Sequence, residues 1–201
     1  MLEQRTRYLW LLVQLAPLIP LALLLWDATQ NRLSANPIEA ATLRTGKAAL
    51  VLLIMSLSCT PIFNVVGFRS LLRLRRLLGL YAFFYAFVHL MIFVGVDFGF
   101  DAQLVGEGLL EKRYALAGLS AFILLAPLAI TSTKGWRRRL GRRWLALHRA
   151  VYLAAMLAVL HYLWGVKANT GPPLEFGAIL ILLLLVRLPF LRQRMRLWPR
   201  K

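Results

Sequence analysis

Leu77-Leu-Gly-Leu-Tyr-Ala-Phe-Phe-Tyr-Ala-Phe-Val-His-Leu-Met-Ile-Phe-Val-Gly-Val96 contains no fixed charge, and it is bounded by Arg75 and Arg76 on one side and Asp97 on the other. A helix of about 20 apolar residues is what a bilayer core of about 30 Å requires. The stretch therefore reads as a membrane span with one ionisable group, His89, deep inside it. Five further runs read the same way: Tyr8–Trp26, Ala48–Val66, Tyr114–Ile130, Trp144–Val166 and Phe176–Leu191. Hydrophobic residues make up 60% of the 201, too many for a soluble domain to cover with polar surface. The expected fold class is an all-α integral membrane protein. It is one domain over residues 1–201, a bundle of about six transmembrane helices.

Details of the runs bear on this expectation. Pro17 and Pro20 should kink the first span, which a helical bundle tolerates. That run is too long for a signal peptide, and no small-residue cleavage site follows it. Arg187 and Pro189 interrupt the sixth. The segments Asp27–Lys47 and Asp97–Arg113 are the longest outer connections, and the second suits a loop or a short surface helix. The inner connections Gly67–Arg76 and Thr131–Arg143 are short and basic. No internal repeat is visible, and no Gly-x-Gly-x-x-Gly pattern or spare length marks a nucleotide-binding domain. Electrons, if carried, must come from a separate donor and leave to a separate acceptor.

The net charge of +17 would suit nucleic acid if it lay on a soluble face. Its distribution says otherwise. With connections numbered alternately from an inner N-terminus, 19 of the 25 basic residues fall inside, whereas seven of the eight acids fall outside. Basic residues in short loops stay cytoplasmic, so both termini are expected in the cytoplasm. The excess charge is explained by topology and by anionic lipid head groups, with no nucleic-acid partner. Cys59, the one cysteine, sits mid-span as a small packing residue, and no Cys-x-x-Cys-His site exists for covalent heme.

His89, His148 and His161 are the only histidines. Ionisable residues inside a membrane are rare and mark pathways or cofactors. His89 and His161 lie on the third and fifth spans, which run in the same direction. Counted from the start of each span at about 1.5 Å per residue, their depths differ by under about 8 Å. Two imidazoles at one depth can clamp a single heme iron; the alternative is a hydrogen-bonded pair. Ala82 and Ala86 precede His89 by the same intervals at which Ala154 and Ala158 precede His161. These small residues would leave room for a flat macrocycle, or would simply let helices pack closely.

His148 is at the inner start of the fifth span. It lies about 20 Å from His161 along the axis, which suits a second, inner heme. Thirteen residues, however, leave the two side chains well over about 90° apart, so a local helix irregularity or an offset heme would be needed. The matching positions before His89 hold Arg75 and Arg76. Arginine stays protonated and is a poor iron ligand, but a good partner for a propionate or phosphate.

Several stretches resemble the heme-binding membrane subunits of the bacterial periplasmic protein-methionine-sulfoxide reductase system, the MsrQ (YedZ) family. They are Thr45-Gly-Lys, Ser58-Cys-Thr-Pro, Arg75 through His89, Leu128-Ala-Ile-Thr-Ser, Arg142-Arg-Trp-Leu-Ala-Leu-His-Arg-Ala-Val-Tyr, and His161-Tyr. The resemblance extends over nearly the whole chain and leads to the ferric-reductase-like transmembrane domains. Those relatives carry two histidines on each of the third and fifth spans, whereas this chain has Arg75 or Arg76 at the fourth place. The resemblance implies a heme b between His89 and His161, with His148 serving an inner heme or lining the electron entry route. It also implies FMN, a donor in the quinone pool or a cytoplasmic flavin reductase, and a periplasmic molybdenum-containing catalytic subunit as acceptor. The location implied is the bacterial inner membrane.

The basic inner face around Arg137–Arg139, Arg142 and Arg143 could receive a phosphate-bearing cofactor, or reflect topology alone. Other functions fit less well. A ferric-reductase-like protein with another acceptor shares the same helices. A small transporter usually needs carboxylates within its spans, and here they cluster at the outer ends. No residue is expected to be catalytic.

Overall fold

The computed structural model describes residues 11–166 and 168–188. Among them the regular structure is helical: α1 (Leu11–Thr29), α2 (Pro37–Val66), α3 (Ser70–Asp97), α4 (Ala102–Glu111), α5 (Arg113–Ile130), α6 (Lys134–Leu140), α7 (Arg142–Gly165) and α8 (Gly171–Leu185). Five of these, α1, α2, α3, α5 and α7, are long and apolar enough to cross a membrane. The sixth, α8, is apolar but spans only 15 residues, or about 22 Å, which is short of a full crossing. Its expected end beyond Leu188 lies outside the described residues, as do Tyr8–Trp10 of the first span, Lys167, and the basic residues at both termini.

Two helices begin seven or more residues earlier than hydropathy alone suggested. The second span was expected from Ala48, but α2 starts at Pro37. Asn36 caps it: its Oδ1 accepts from the Glu39 N–H at 3.2 Å, and its Nδ2 donates to the Glu39 carboxylate. Pro37 follows at the first helical position, where its missing N–H costs nothing. The third span was expected from Leu77, but α3 starts at Ser70. Arginine and leucine are good helix formers, so the helix runs through Arg73, Arg75 and Arg76. Hydropathy marked the start of the charge-free run there, not the start of the helix. The outer connection after Asp97 holds a short helix, α4, as expected.

α2 lies at the centre of the bundle and contributes much of the core, including Leu53, Leu57 and Cys59. It packs closely against α3, and α5 packs closely against α7. These two pairs meet through a buried cluster containing Leu57, Ala82, Tyr85, Leu125, Ala154 and Ala155. Close approach through alanine is how membrane helices gain dispersion energy in the absence of a hydrophobic driving force between them. That packing accounts for Ala82 and Ala154, which are 1% and 0% exposed. The outward faces carry leucine, valine and phenylalanine in a density that only lipid would cover, as on α1 with Leu11, Leu12, Leu15, Ile19 and Leu23.

At the prolines, α1 contains a 3₁₀ turn over Ala16–Leu18. The rung that should join the Leu21 N–H to the Pro17 carbonyl is opened by an inserted side chain. The Tyr85 hydroxyl accepts from Leu21 N at 3.0 Å and donates to Pro17 O at 2.7 Å. Both backbone groups are thereby satisfied at membrane depth.

Candidate heme site

His89 on α3 and His161 on α7 face each other, with ring centroids 5.8 Å apart and planes at 85°. The two rings, expected within about 8 Å of each other in depth from residue counting, thus stand side by side. Each ring is held by a backbone carbonyl on the neighbouring helix. The His89 Nδ1–H donates to the Thr42 carbonyl on α2 at 2.9 Å, and the His161 Nδ1–H donates to the Tyr114 carbonyl on α5 at 2.6 Å. A carbonyl only accepts, so each Nδ1 must carry the proton. Each Nε2 then keeps its lone pair and points away from the carbonyl.

A glycine makes each contact possible. In a helix the residue four positions on stands beside a given carbonyl, and its Cβ shields the second lone pair. Here those residues are Gly46 and Gly118. A Cβ on Gly46 would lie 3.0 Å from His89 Nδ1, and one on Gly118 would lie 2.7 Å from His161 Nδ1. Both positions need glycine for close approach, not for an unusual backbone angle.

The two halves of the site are equivalent. In each, a carbonyl, a glycine four residues later and a histidine 47 residues after the carbonyl recur in the same order. This corrects the expectation of no internal repeat. The repeat is spatial, and it is carried by a few positions among side chains that otherwise differ.

The donor set fits a b-type heme. Two neutral imidazoles with free Nε2 atoms are the ligands such an iron takes. With an iron–nitrogen bond of about 2 Å, as for other imidazole-bound metals, two coaxial rings would stand about 6 Å apart between centroids. The observed spacing is close to this. No group of three or more His, Cys, Asp or Glu that could hold a metal ion occurs among the described residues.

His148 stands apart from this pair. Its ring stacks on Trp144, centroids 4.0 Å apart, and its Nε2 lies 3.1 Å from the Thr131 hydroxyl. That hydroxyl gives its single proton to the Pro127 carbonyl at 2.6 Å, so toward His148 it accepts and Nε2 donates. The Trp144 indole N–H donates to the Thr131 carbonyl at 2.9 Å, completing the cluster. The helix irregularity that His148 called for is present. Regular helix ends at His148 and resumes at Ala150, with tight turn bonds from Arg149 to Ala146 and from Tyr152 to Arg149.

Arg75 and Arg76, adjacent in sequence, diverge in space. Arg75 donates to the Thr60 hydroxyl at 3.2 Å and lines an inner cavity, whereas Arg76 is exposed and lies outside it. Sequence reasoning missed Gly118 and the two carbonyls. A carbonyl has no sequence signature, and one glycine in an alanine-rich helix carries no mark of its purpose.

Residues 45–159 match the family described as ferric reductase like transmembrane component. A protein-methionine-sulfoxide reductase heme-binding subunit MsrQ from Rhodospirillum rubrum is 45% identical over 96% of this chain and 94% of its own length. MsrQ from Deinococcus radiodurans is 45% identical over 90% of this chain and 91% of its own, and MsrQ from Caulobacter vibrioides 42% over 88% and 84%. No solved structure matches with significant similarity. By its multi-pass helical fold, the span of the family match and the extent of these identities, the chain belongs to the MsrQ family of ferric-reductase-like transmembrane proteins.

Proposed function

We propose that this chain is the membrane cytochrome b subunit of a protein-methionine-sulfoxide reductase. It takes electrons from the quinone pool or a cytoplasmic flavin reductase and passes them across the bacterial inner membrane. The acceptor is a periplasmic molybdenum-containing catalytic subunit, and the process supports repair of oxidised periplasmic proteins. The observation that carries the proposal is the His89–His161 pair, two facing imidazoles with their Nδ1 protons fixed on carbonyls. The relatives' own description as heme-binding subunits agrees with it.

A bound heme would supply a one-electron iron centre whose potential follows from its axial ligands and the polarity around it. The chain's part is to hold and tune it. The Thr42 and Tyr114 carbonyls fix both tautomers and make the Nε2 atoms better donors. Helices α2, α3, α5 and α7 keep water away. We assign no catalytic residue to the chain, since sulfoxide chemistry belongs to the partner. Seven of its acids lie toward the end where α1 and α3 finish and α2 and α8 start, and the basic connections lie at the other. This asymmetry supports cytoplasmic termini and a periplasmic docking face near the histidine pair. His148 we place on the inner approach to that pair, where it lines the electron route or serves a second heme. Arg75, and Arg76 beside it, are inner-side partners for a propionate or for the phosphate of FMN.

The test is an optical spectrum of the protein purified after heme-replete expression. A reducible low-spin b-type spectrum, lost in His89→Ala and in His161→Ala, is expected. A colourless, well-folded protein would overturn the proposal.

A further inference from the structure

We propose that the inner end of the bundle carries a phosphate-binding site, built by Arg75, Arg149 and Arg187 around a cavity of about 530 Å³. The remaining polar lining comes from Thr60, Asn64 and Tyr152. The proposal deepens the functional reading above, because it gives the inner side a specific anion site, yet it can fail separately from the heme pair.

Three features converge on an anion. First, helices far apart in sequence bring guanidinium groups to one cavity: Arg75 from α3, Arg149 from the break in α7, and Arg187 from just past α8. Arg75 and Arg187 lie near enough to interact electrostatically, so the arrangement works against itself unless a counter-charge is present. Second, no carboxylate lines the cavity among the described residues, and Glu39 stands at the opposite end of the helix that carries Asn64. That separation is more than about 30 Å along the axis, several screening lengths away. Third, the site is built. Arg187 is anchored by donating to the Tyr152 hydroxyl and to the Leu57 carbonyl, and its buried Nε–H has no partner among the described residues. A buried charged donor without an acceptor is costly, and a phosphate oxygen is the acceptor that guanidinium geometry suits best.

The volume falls in the range of small-molecule sites, about 300–1,000 Å³. Two sources could bring the phosphate there. One is the head group of an anionic phospholipid from the inner leaflet, reached from the side through Leu184, Val186 and Leu188. The other is the phosphate of a flavin mononucleotide entering from the cytoplasm. The chemistry recognised is the same.

The experiment uses the full-length, heme-loaded protein in phosphatidylcholine nanodiscs. Two probes are titrated separately: phosphatidylglycerol, followed by native mass spectrometry, and FMN, followed by its fluorescence. Saturable binding of either, near one per chain and displaced by excess inorganic phosphate, is expected. Arg75→Gln and Arg149→Gln should each weaken it about tenfold, the worth of one charge-assisted contact. Arg69→Gln and Lys134→Gln, exposed and outside the cavity, should leave it unchanged. Arg149→Lys, which keeps the charge and loses the fork, should fall between. Binding of phosphatidylglycerol alone identifies a lipid site, and binding of FMN alone identifies a cofactor site. Saturable binding of neither probe overturns the proposal. So does an equal loss in Arg69→Gln, which would show diffuse surface charge. A parallel loss of heme from Arg149→Gln also overturns it, since the arginines would then serve heme carboxylates.

Discussion

The imidazole planes of His89 and His161 stand at 85° to each other across a centroid spacing of 5.8 Å. Their orientation is set independently, one ring by the Thr42 carbonyl and the other by the Tyr114 carbonyl. Were an iron held between His89 and His161 with the rings so crossed, its two d orbitals that π-bond to the imidazoles would be nearly equal in energy. The oxidised protein should therefore give a strongly anisotropic low-spin electron paramagnetic resonance signal, dominated by one low-field feature. A rhombic spectrum with three well-resolved features would mean that the rings turn parallel when iron binds.

The glycines beside those carbonyls provide a graded test. Gly118→Ala would place a methyl group 2.7 Å from His161 Nδ1, and Gly46→Ala one 3.0 Å from His89 Nδ1. Neither distance is tolerable without moving the ring. Heme content should fall several-fold in Gly118→Ala and less in Gly46→Ala. Gly106→Ala, with open space around it, should match wild type. Full heme occupancy in Gly118→Ala would show that the carbonyl bond does not position His161.

What could be read from the sequence, and what could not, divides along the same physical line. Long apolar runs located the spans, because lipid enforces them on side chains. Depth counting paired His89 with His161, because helical rise is constant. The start of α2 was also legible, in Asn36-Pro37-Ile38-Glu39, but hydropathy drew the boundary later. The Thr42 and Tyr114 carbonyls were not legible, since every residue has one. The equivalence of the two halves was hidden for a related reason. Only the ring contact and the glycine are constrained there, while lipid-facing positions accept any apolar side chain. The divergence of Arg75 and Arg76 depends on helix rotation, which a string of arginines does not reveal.

Tyr85 gives a prediction about stability. Its hydroxyl fills the opened rung between Pro17 and Leu21, and the ring is 1% exposed. Tyr85→Phe keeps the packing and removes both bonds, leaving a backbone N–H and C=O unpaired in the bilayer. A loss of about 1–2 kcal/mol is expected in a thermal or denaturant melt in detergent. Since Tyr85 lies on α3 one turn before His89, the reduced heme spectrum should keep its shape while the melting point drops. An unchanged melt would indicate that the Leu21 N–H and Pro17 carbonyl reclose on each other.

The His148 cluster separates two roles that one ring cannot fill in the same arrangement. As placed, Nε2 donates to Thr131, whose own proton goes to Pro127, and Trp144 covers one face. An iron would need a nitrogen lone pair, so it would have to take Nδ1 or displace Thr131. Thr131→Val removes the acceptor and keeps the shape of the side chain. If His148 only lines the inner route, heme per chain stays constant in Thr131→Val and in His148→Ala. The cost is then confined to about 1 kcal/mol of stability from the lost hydrogen bond. If His148 holds an inner heme, His148→Ala loses that heme while the His89–His161 spectrum persists. Thr131→Val would then retain or tighten it, because Nε2 is released. Heme-to-protein stoichiometry in the three proteins decides between the two.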